Sequence, residues 1–298
     1  MPKIFFILLL FLTLCQDFVK AGQEIVAVQS LKVAPYQQAL DGFKRVLDRD
    51  IKIITISELK GTNLAKEINS INPDMVLAIG MGALSGVKWI KNIPIIYLMV
   101  LNPELAPADK KNITGINMNI PQEKQLTALL EVLPDTKTIG LLYDPKRTGS
   151  LVKRARDAAR KIKIELMAKK INRPSQVASM LKEMRGNIDV FWMLPDITVI
   201  TPETIELMLL FSLEHKIPVL TFSEKYVESG ALMSISIDAF DIGIQAGEIA
   251  ESILSGKKTI NGRNINPRKI VPSINLTIAN KLDVTIDPEV IKKSRIIK

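Results

Sequence analysis

Residues 74–100 read DMVLAIGMGALSGVKWIKNIPIIYLMV, and the fold class follows from this stretch. Residues 74–80 and 93–100 are short apolar runs without polar alternation, the pattern of strands covered on both faces. Between them lies a glycine-rich turn and a helical segment, residues 84–90. Strand, turn, helix and strand in that order make a βα unit, whose strands pair in parallel.

The same rhythm extends in both directions. Toward the N-terminus, EIVAVQ (24–29) and IKIITIS (51–57) read as strands, and residues 36–47 and 62–69 as helices. Leu40, Phe43 and Leu47 recur at helical spacing on one face. Toward the C-terminus, a turn-rich stretch with Pro103, Pro107, Asn112 and Gly115 breaks the pattern and marks a boundary. After TGINMNI (114–120), Pro121 opens a helix and a second array begins. Its strands are residues 137–144, 164–167, 189–194, 217–222 and 231–237. A basic helix through Lys163, a helix at 174–185 and one with Thr201 as N-cap and Pro202 at N1 alternate with them. The tail holds a helix (242–254), a Gly/Asn/Pro-rich crossing (256–267), a strand (270–278) and a last helix near Pro288. It is too short for a third domain and is expected to complete both arrays. The expected class is α/β: two Rossmann-like lobes with parallel sheets joined by a multi-strand hinge. Lobe 1 comprises residues 22–118 plus about 239–266, and lobe 2 residues 119–238 plus about 267–298.

The first residues, MPKIFFILLLFLTLCQDFVKAG, pair Lys3 with an apolar run from Ile4 to Leu14 of signal-peptide length. Val19 and Ala21 form a small-residue cleavage pattern before Gly22, so residues 1–21 are expected to be a cleaved signal peptide and the mature chain extracytoplasmic or periplasmic. Lipid attachment at Cys15 is the second reading; Leu14 stands where a small residue is wanted. Cys15 is the single cysteine, and His215 the single histidine, of the 298 residues. Thiol chemistry and His/Cys metal sites are therefore disfavoured, and no cofactor or metal is expected. The net charge of +9 would suit nucleic acid, but the basic residues are dispersed and lack interleaved aromatics. A solvated basic surface is the better reading.

Three features bear on chemistry. Gly80-Met-Gly82-Ala-Leu-Ser-Gly86 follows a strand and opens a helix, but its GxGxxxG spacing and its place on the third strand depart from the dinucleotide fingerprint. Either its amides approach a polar group of a small ligand, or the glycines serve a tight βα turn. Asp144, Asp196 and Asp238 fall just beyond strands, where open α/β sheets place ligands; each could hold an ammonium group or cap the next turn. Of the aromatics Tyr36, Tyr97, Tyr143, Trp192 and Phe222, most belong to the core. Tyr36, in the first βα loop, and Phe222, at the opposite strand end in the second array, are the best candidates for a ligand wall. There is no GxSxG elbow or triad, so catalysis is not expected.

Several blocks resemble the substrate-binding proteins of ABC transporters of the kind related to tryptophan-binding TrpX. These are GTNLAKEINSINPDMVLAIG, NITGINMNIPQEKQLTALLEVLPDTKTIGLLYDP, LPDITVITPETIELMLLFSLEHKIPVLTFSEKYVESGALMSISID and SINLTIANKLDVTIDPEVIKKS. The resemblance covers nearly the whole chain beyond the leader and rests on ordered marks. They include Asn72-Pro73-Asp74, Ile113-Thr114-Gly115, Leu133-Pro134, Gly230-Ala231-Leu232 with Asp238, and Asn275 with Ala279. It implies a type I periplasmic-binding-protein fold with three interlobe crossings and a small solute held in the cleft for an ABC permease, and it suggests an aromatic or branched amino acid as that solute. It draws the ligand-binding set from Ser30, Tyr36, Met81, Gly82, Ala83, Asn102, Tyr143, Asp144, Asp196, Phe222, Ser223 and Asp238. Where relatives carry a Thr-Pro type turn after the third strand, this chain has Met81-Gly82, and that departure leaves the ligand open. The expected product is a monomeric solute-binding protein; a sensor reporting a solute to a membrane receptor is the alternative, and an exported enzyme the third.

Overall fold

A computed structural model describes residues 24–47, 49–59, 63–100, 111–257, 262 and 264–297. The leader with Cys15, and Asn102, lie outside the described residues. In chain order the elements are β1 (Ile25–Gln29), α1 (Ala34–Val46), β2 (Ile51–Thr55), a 3-10 turn (Ile56–Glu58), α2 (Leu64–Ile71), β3 (Met75–Ile79), α3 (Met81–Val87), β4 (Ile95–Val100) and β5 (Ile113–Asn117). Then follow α4 (Gln122–Val132), β6 (Thr138–Tyr143), α5 (Pro145–Lys161), β7 (Glu165–Lys170), a second 3-10 turn (Pro174–Gln176), α6 (Val177–Met184), β8 (Val190–Trp192) and α7 (Pro202–His215). The remainder is β9 (Val219–Thr221), α8 (Glu224–Glu228), β10 (Met233–Ile237), α9 (Ala239–Leu254), β11 (Asn264–Ile265), β12 (Ile270–Asn275), α10 (Leu276–Lys281), α11 (Pro288–Lys293) and β13 (Arg295–Ile297).

The chain forms two compact units, Met1–Ile116 with Gly243–Ile265, and Asn117–Ile242 with Asn266–Lys298. The first holds a six-stranded sheet ordered β11-β5-β4-β3-β1-β2. Its described pairings are parallel, with β1 in register between β2 and β3. β1, β3 and β4 are buried at every residue, as continuous apolar strands covered on both faces should be, whereas the edge strand β2 leaves Lys52 and Ile53 in solvent. The second sheet runs β13-β12-β10-β9-β8-β6-β7 and is parallel in its described pairings except between β10 and β12. One face packs on α4, α5 and α10 through Leu126, Leu129, Val152, Ala155 and Ile278. The other is covered by α6 and α7 through Leu181, Met184, Met208 and Phe211.

Within the first unit, α9 lies on α1 at close range. A Cβ at Gly243 would meet the Ala39 carbonyl oxygen at 1.9 Å, and one at Gly247 would meet the Val46 Cβ at 2.8 Å. Backbone touches backbone there, so only glycine fits. The four-residue spacing of the two glycines is a small-residue helix contact that the sequence reading passed over.

Most boundaries shift by a few residues from the sequence reading, and three of the shifts have a visible local cause or form. The helix expected at 84–90 begins at Met81, because Gly80, at φ +89°, turns the chain sharply enough to start it at once. The strand expected to run to residue 278 ends at Asn275. That side chain accepts from the Ile278 amide at 2.9 Å and starts α10, while its Nδ2 donates to the Val227 carbonyl at 3.1 Å. The helix expected at 174–185 is a 3-10 turn followed by α6. Thr201 and Pro202 open α7 as read, with Thr204 completing a reciprocal cap.

Candidate functional site

In a parallel sheet all carboxyl ends fall on one edge, and the loops beyond them carry the binding groups of open α/β proteins. In the first unit that edge bears the turn after β1, with Ser30 to Val33, and the turn after β3, with Gly80 to Ala83. The structure ties the two together. The Ser30 hydroxyl donates to the Ile79 carbonyl at 3.1 Å and accepts the Ala83 amide at 2.8 Å. A Cβ on Gly80 would lie 2.4 Å from the Tyr36 hydroxyl and 2.7 Å from the Ser30 hydroxyl, so this glycine makes room for both. Burial raises the Tyr36 phenol above its ordinary pKa, and it stays neutral as a donor. The amides of Met81 and Gly82 make no hydrogen bond to any described residue, while Ala83 is spent on Ser30. Five expected residues, Ser30, Tyr36, Met81, Gly82 and Ala83, thus form one turn cluster.

The second unit's edge is acidic. Asp144 follows β6, Asp196 follows β8 and Asp238 follows β10. Asp196 is 1% exposed, and its carboxylate is fully engaged. One oxygen accepts the Asp144 amide at 2.7 Å and the Thr148 hydroxyl, and the other the Thr198 amide at 2.9 Å. Asp144 accepts the Lys146 amide at 2.9 Å, capping α5, and the Thr198 hydroxyl at 2.8 Å. The Lys146 amide and Thr198 hydroxyl outweigh the cost of burial and hold the Asp144 carboxyl below the ordinary carboxylate range. These two aspartates therefore brace the turns after β6 and β8.

Asp238 is different. One oxygen accepts the Asp241 amide at 3.0 Å at the start of α9, and the other faces the Lys269 ammonium at 2.6 Å. Burial pushes this carboxyl up, but the Lys269 hydrogen bond, the Asp241 amide and the Lys269 charge together bring it below the ordinary range. Phe222, beyond β9, is 38% exposed and meets Tyr226 edge to face at 5.3 Å. Ser223 follows it at the N-cap of α8 without a side-chain capping bond.

Tyr143 corrects the sequence reading. It is 4% exposed inside the core, with the Arg156 guanidinium 6.0 Å from its ring centre, because the end of β6 is covered by α5. Tyr97 and Trp192 are core as well, at 4% and 2%. The Tyr97 hydroxyl donates to Asn264 at 2.8 Å, and burial pushes its pKa up to about 12. The sequence reading missed Leu31 and Val33 at the first edge and Ile197 and Phe240 at the second, all exposed apolar side chains just past strand ends. Their signal was local: an apolar residue two to five places after a strand's last residue has no core to join. Thr148 and Thr198 were missed because their partners lie 48 and 54 residues away.

A groove of about 990 Å³ in the second unit lies between α4, β12 and α11, lined by both acidic and basic side chains. It contains none of the expected site residues and touches them only through Lys269. The strand-end edge of each unit, which combines exposed apolar groups with oriented polar ones, is the better candidate. Among the described residues no group of three His, Cys, Asp or Glu side chains could hold a metal, and no helix is long and apolar enough to cross a membrane.

A tyrosine-binding protein of Clostridioides difficile (strain R20291) is 28% identical over 204 residues, which are 65% of this chain. The match spans 59% of that relative, less than two thirds of its length. Among solved structures, a ligand-free, open substrate-binding protein with adhesive properties from Clostridium difficile superposes with a TM-score of 0.75 at 23% identity, covering 93% of this chain and 99% of that one. An ABC domain in complex with L-Trp from Streptococcus pneumonia gives a TM-score of 0.56 at 23% identity, covering 93% and 100%. The fold is that of the type I periplasmic binding proteins. Residues 29–297 match the family model of ABC transporter substrate binding proteins, and the chain belongs to that family of solute-binding, non-enzymatic proteins.

Proposed function

We propose that the protein captures an amino acid with an aromatic or large apolar side chain and delivers it to an ABC permease. The observation that carries this reading is the make-up of the two strand-end edges. Leu31 and Val33 in one unit, and Ile197, Phe222 and Phe240 in the other, are exposed apolar groups set beside oriented polar groups. The amides of Met81 and Gly82, which make no hydrogen bond to a described residue, suit a carboxylate, and Asp238 suits an ammonium. A zwitterion with an apolar side chain needs all three. The tyrosine-binding relative and the L-Trp complex support the same ligand class. In this reading Ser30, Tyr36, Met81, Gly82, Ala83, Phe222, Ser223 and Asp238 contact the ligand, with Asn102 as a further contact. Asp144 and Asp196 hold the turns that carry it. The leader exports the protein and is cleaved after Ala21.

The test is thermal unfolding of the purified chain against the twenty amino acids. A ligand at a hundredfold excess over Kd adds about 2.7 kcal/mol to stability, so L-tyrosine or L-tryptophan should raise Tm by several degrees. No shift from any aromatic or branched amino acid would sink the proposal.

A further inference from the structure

Among the described residues, Asp238 alone of the three strand-end aspartates has a charged side chain in ion-pair contact. The carboxylates of Asp144 and Asp196 are taken by backbone amides and threonine hydroxyls, all fixed parts of the fold. Asp238 spends one oxygen on the Asp241 amide, and the other holds the Lys269 ammonium at 2.6 Å. Its side chain is 18% exposed, whereas that of Lys269 is 60% exposed. A lysine ammonium and an amino acid's α-ammonium are the same donor group with the same preferred distance to a carboxylate. We propose that Lys269 is a built-in competitor: its ammonium fills the ligand's ammonium position on Asp238 and must swing away for an amino acid to bind.

The geometry suits a release step. Lys269 stands next to β12, and its charge reaches Asp238 along a flexible, solvated stem whose ion pair is weak enough to exchange. The neighbouring pair is built differently. Arg268 places Nε 3.1 Å from both carboxylate oxygens of Asp241, a single N–H shared between two acceptors. Lys269 thus sets a threshold that a ligand lacking an ammonium gains nothing by crossing. Selectivity for amino acids over the corresponding acids then comes from the competition as well as from contacts.

This inference rests on the amino-acid reading above. The experiment is calorimetric titration of the full-length mature chain with L-tyrosine and L-tryptophan, and with 3-(4-hydroxyphenyl)propionate and indole-3-propionate, which lack the ammonium. Lys269→Met should tighten both amino acids by roughly 2- to 10-fold and leave the desamino acids unchanged. Asp238→Asn, which keeps the cap on α9, should weaken the amino acids by about 100-fold and abolish the gain from Lys269→Met in the double variant. Arg268→Gln should stay within about twofold of wild type. Unchanged or weaker amino-acid binding in Lys269→Met, beside a weakened Asp238→Asn, overturns the competitor and leaves the amino-acid reading standing. Equal tightening of the desamino acids also overturns it. Failure of both amino acids to bind the wild-type chain overturns both readings together.

Discussion

The two units solve one problem, a rigid turn at the end of a parallel strand, by opposite chemistry. In the first, the turn after β3 is held by clearance: Gly80 leaves space for two hydroxyls, and the Ser30 hydroxyl bridges the Ile79 carbonyl and the Ala83 amide. In the second, the turns after β6 and β8 are held by buried carboxylates that gather amides and hydroxyls. The first turn cluster is held by hydroxyls and amides, the second by carboxylates. The difference also teaches where each unit is fragile, in shape for the first and in charge for the second.

The largest expected effect attacks shape. Gly243→Ala puts a methyl 1.9 Å from the Ala39 carbonyl oxygen and forces α9 off α1, costing about 3 kcal/mol by overpacking. A urea titration should show the loss, and an unchanged midpoint would mean that the two helices are not in backbone contact. Next comes the charged counterpart in the second unit. Asp196→Ala strands the Asp144 and Thr198 amides and the Thr148 hydroxyl, for about 2–3 kcal/mol. Hydrogen exchange should rise in the turns after β6 and β8 and not around Gly80.

A smaller effect is expected for Gly80→Ala. At φ +89° the added Cβ is strained and pushes on Tyr36 and Ser30, both side chains that can give way, so about 1–2 kcal/mol is lost. Ligand affinity should suffer more than stability, since the amides of Met81 and Gly82 move with the turn. Equal losses in Tm and affinity would show that the turn serves folding alone.

The smallest effect is pH dependence, and its sign separates the units. Asp144 and Asp238 titrate below their ordinary value when folded, so their contribution is complete above about pH 4 and is lost as pH falls through the folded pKa. The first unit has the reverse case in Tyr97. Its pKa is raised to about 12, so its contribution is complete below about pH 10 and is lost as pH climbs toward 12. Tyr97→Phe should flatten the alkaline limb of a Tm–pH profile and leave the acid limb alone. A changed acid limb would break the assignment.

The fold was legible because its signals are local. Continuous apolar runs such as 93–100, the glycine turn at Gly80 and the Thr201-Pro202 helix start each specify an element within a few residues. The site was legible only as positions. Asp144, Asp196 and Asp238 could all be placed beyond strand ends by counting along the chain, and any of them could have been a ligand contact or a cap. Tyr143 looked equally available until α5 was seen to cover it.

By itself the sequence determined the α/β class, the parallel strands, the family and the positions of the glycine turn and of three aspartates just beyond strand ends, since each depends on neighbours within one element or on ordered local blocks. Tertiary structure alone decided which of those residues are already spent. Asp144 meets Asp196 across 52 residues and Thr198 across 54, Ser30 meets Ala83 across 53, and Lys269 meets Asp238 because β12 pairs with β10 and sets Ile270 opposite Ile237. A carboxylate's partner depends on which chain segments the sheets bring side by side, and no pattern along the chain encodes that distance.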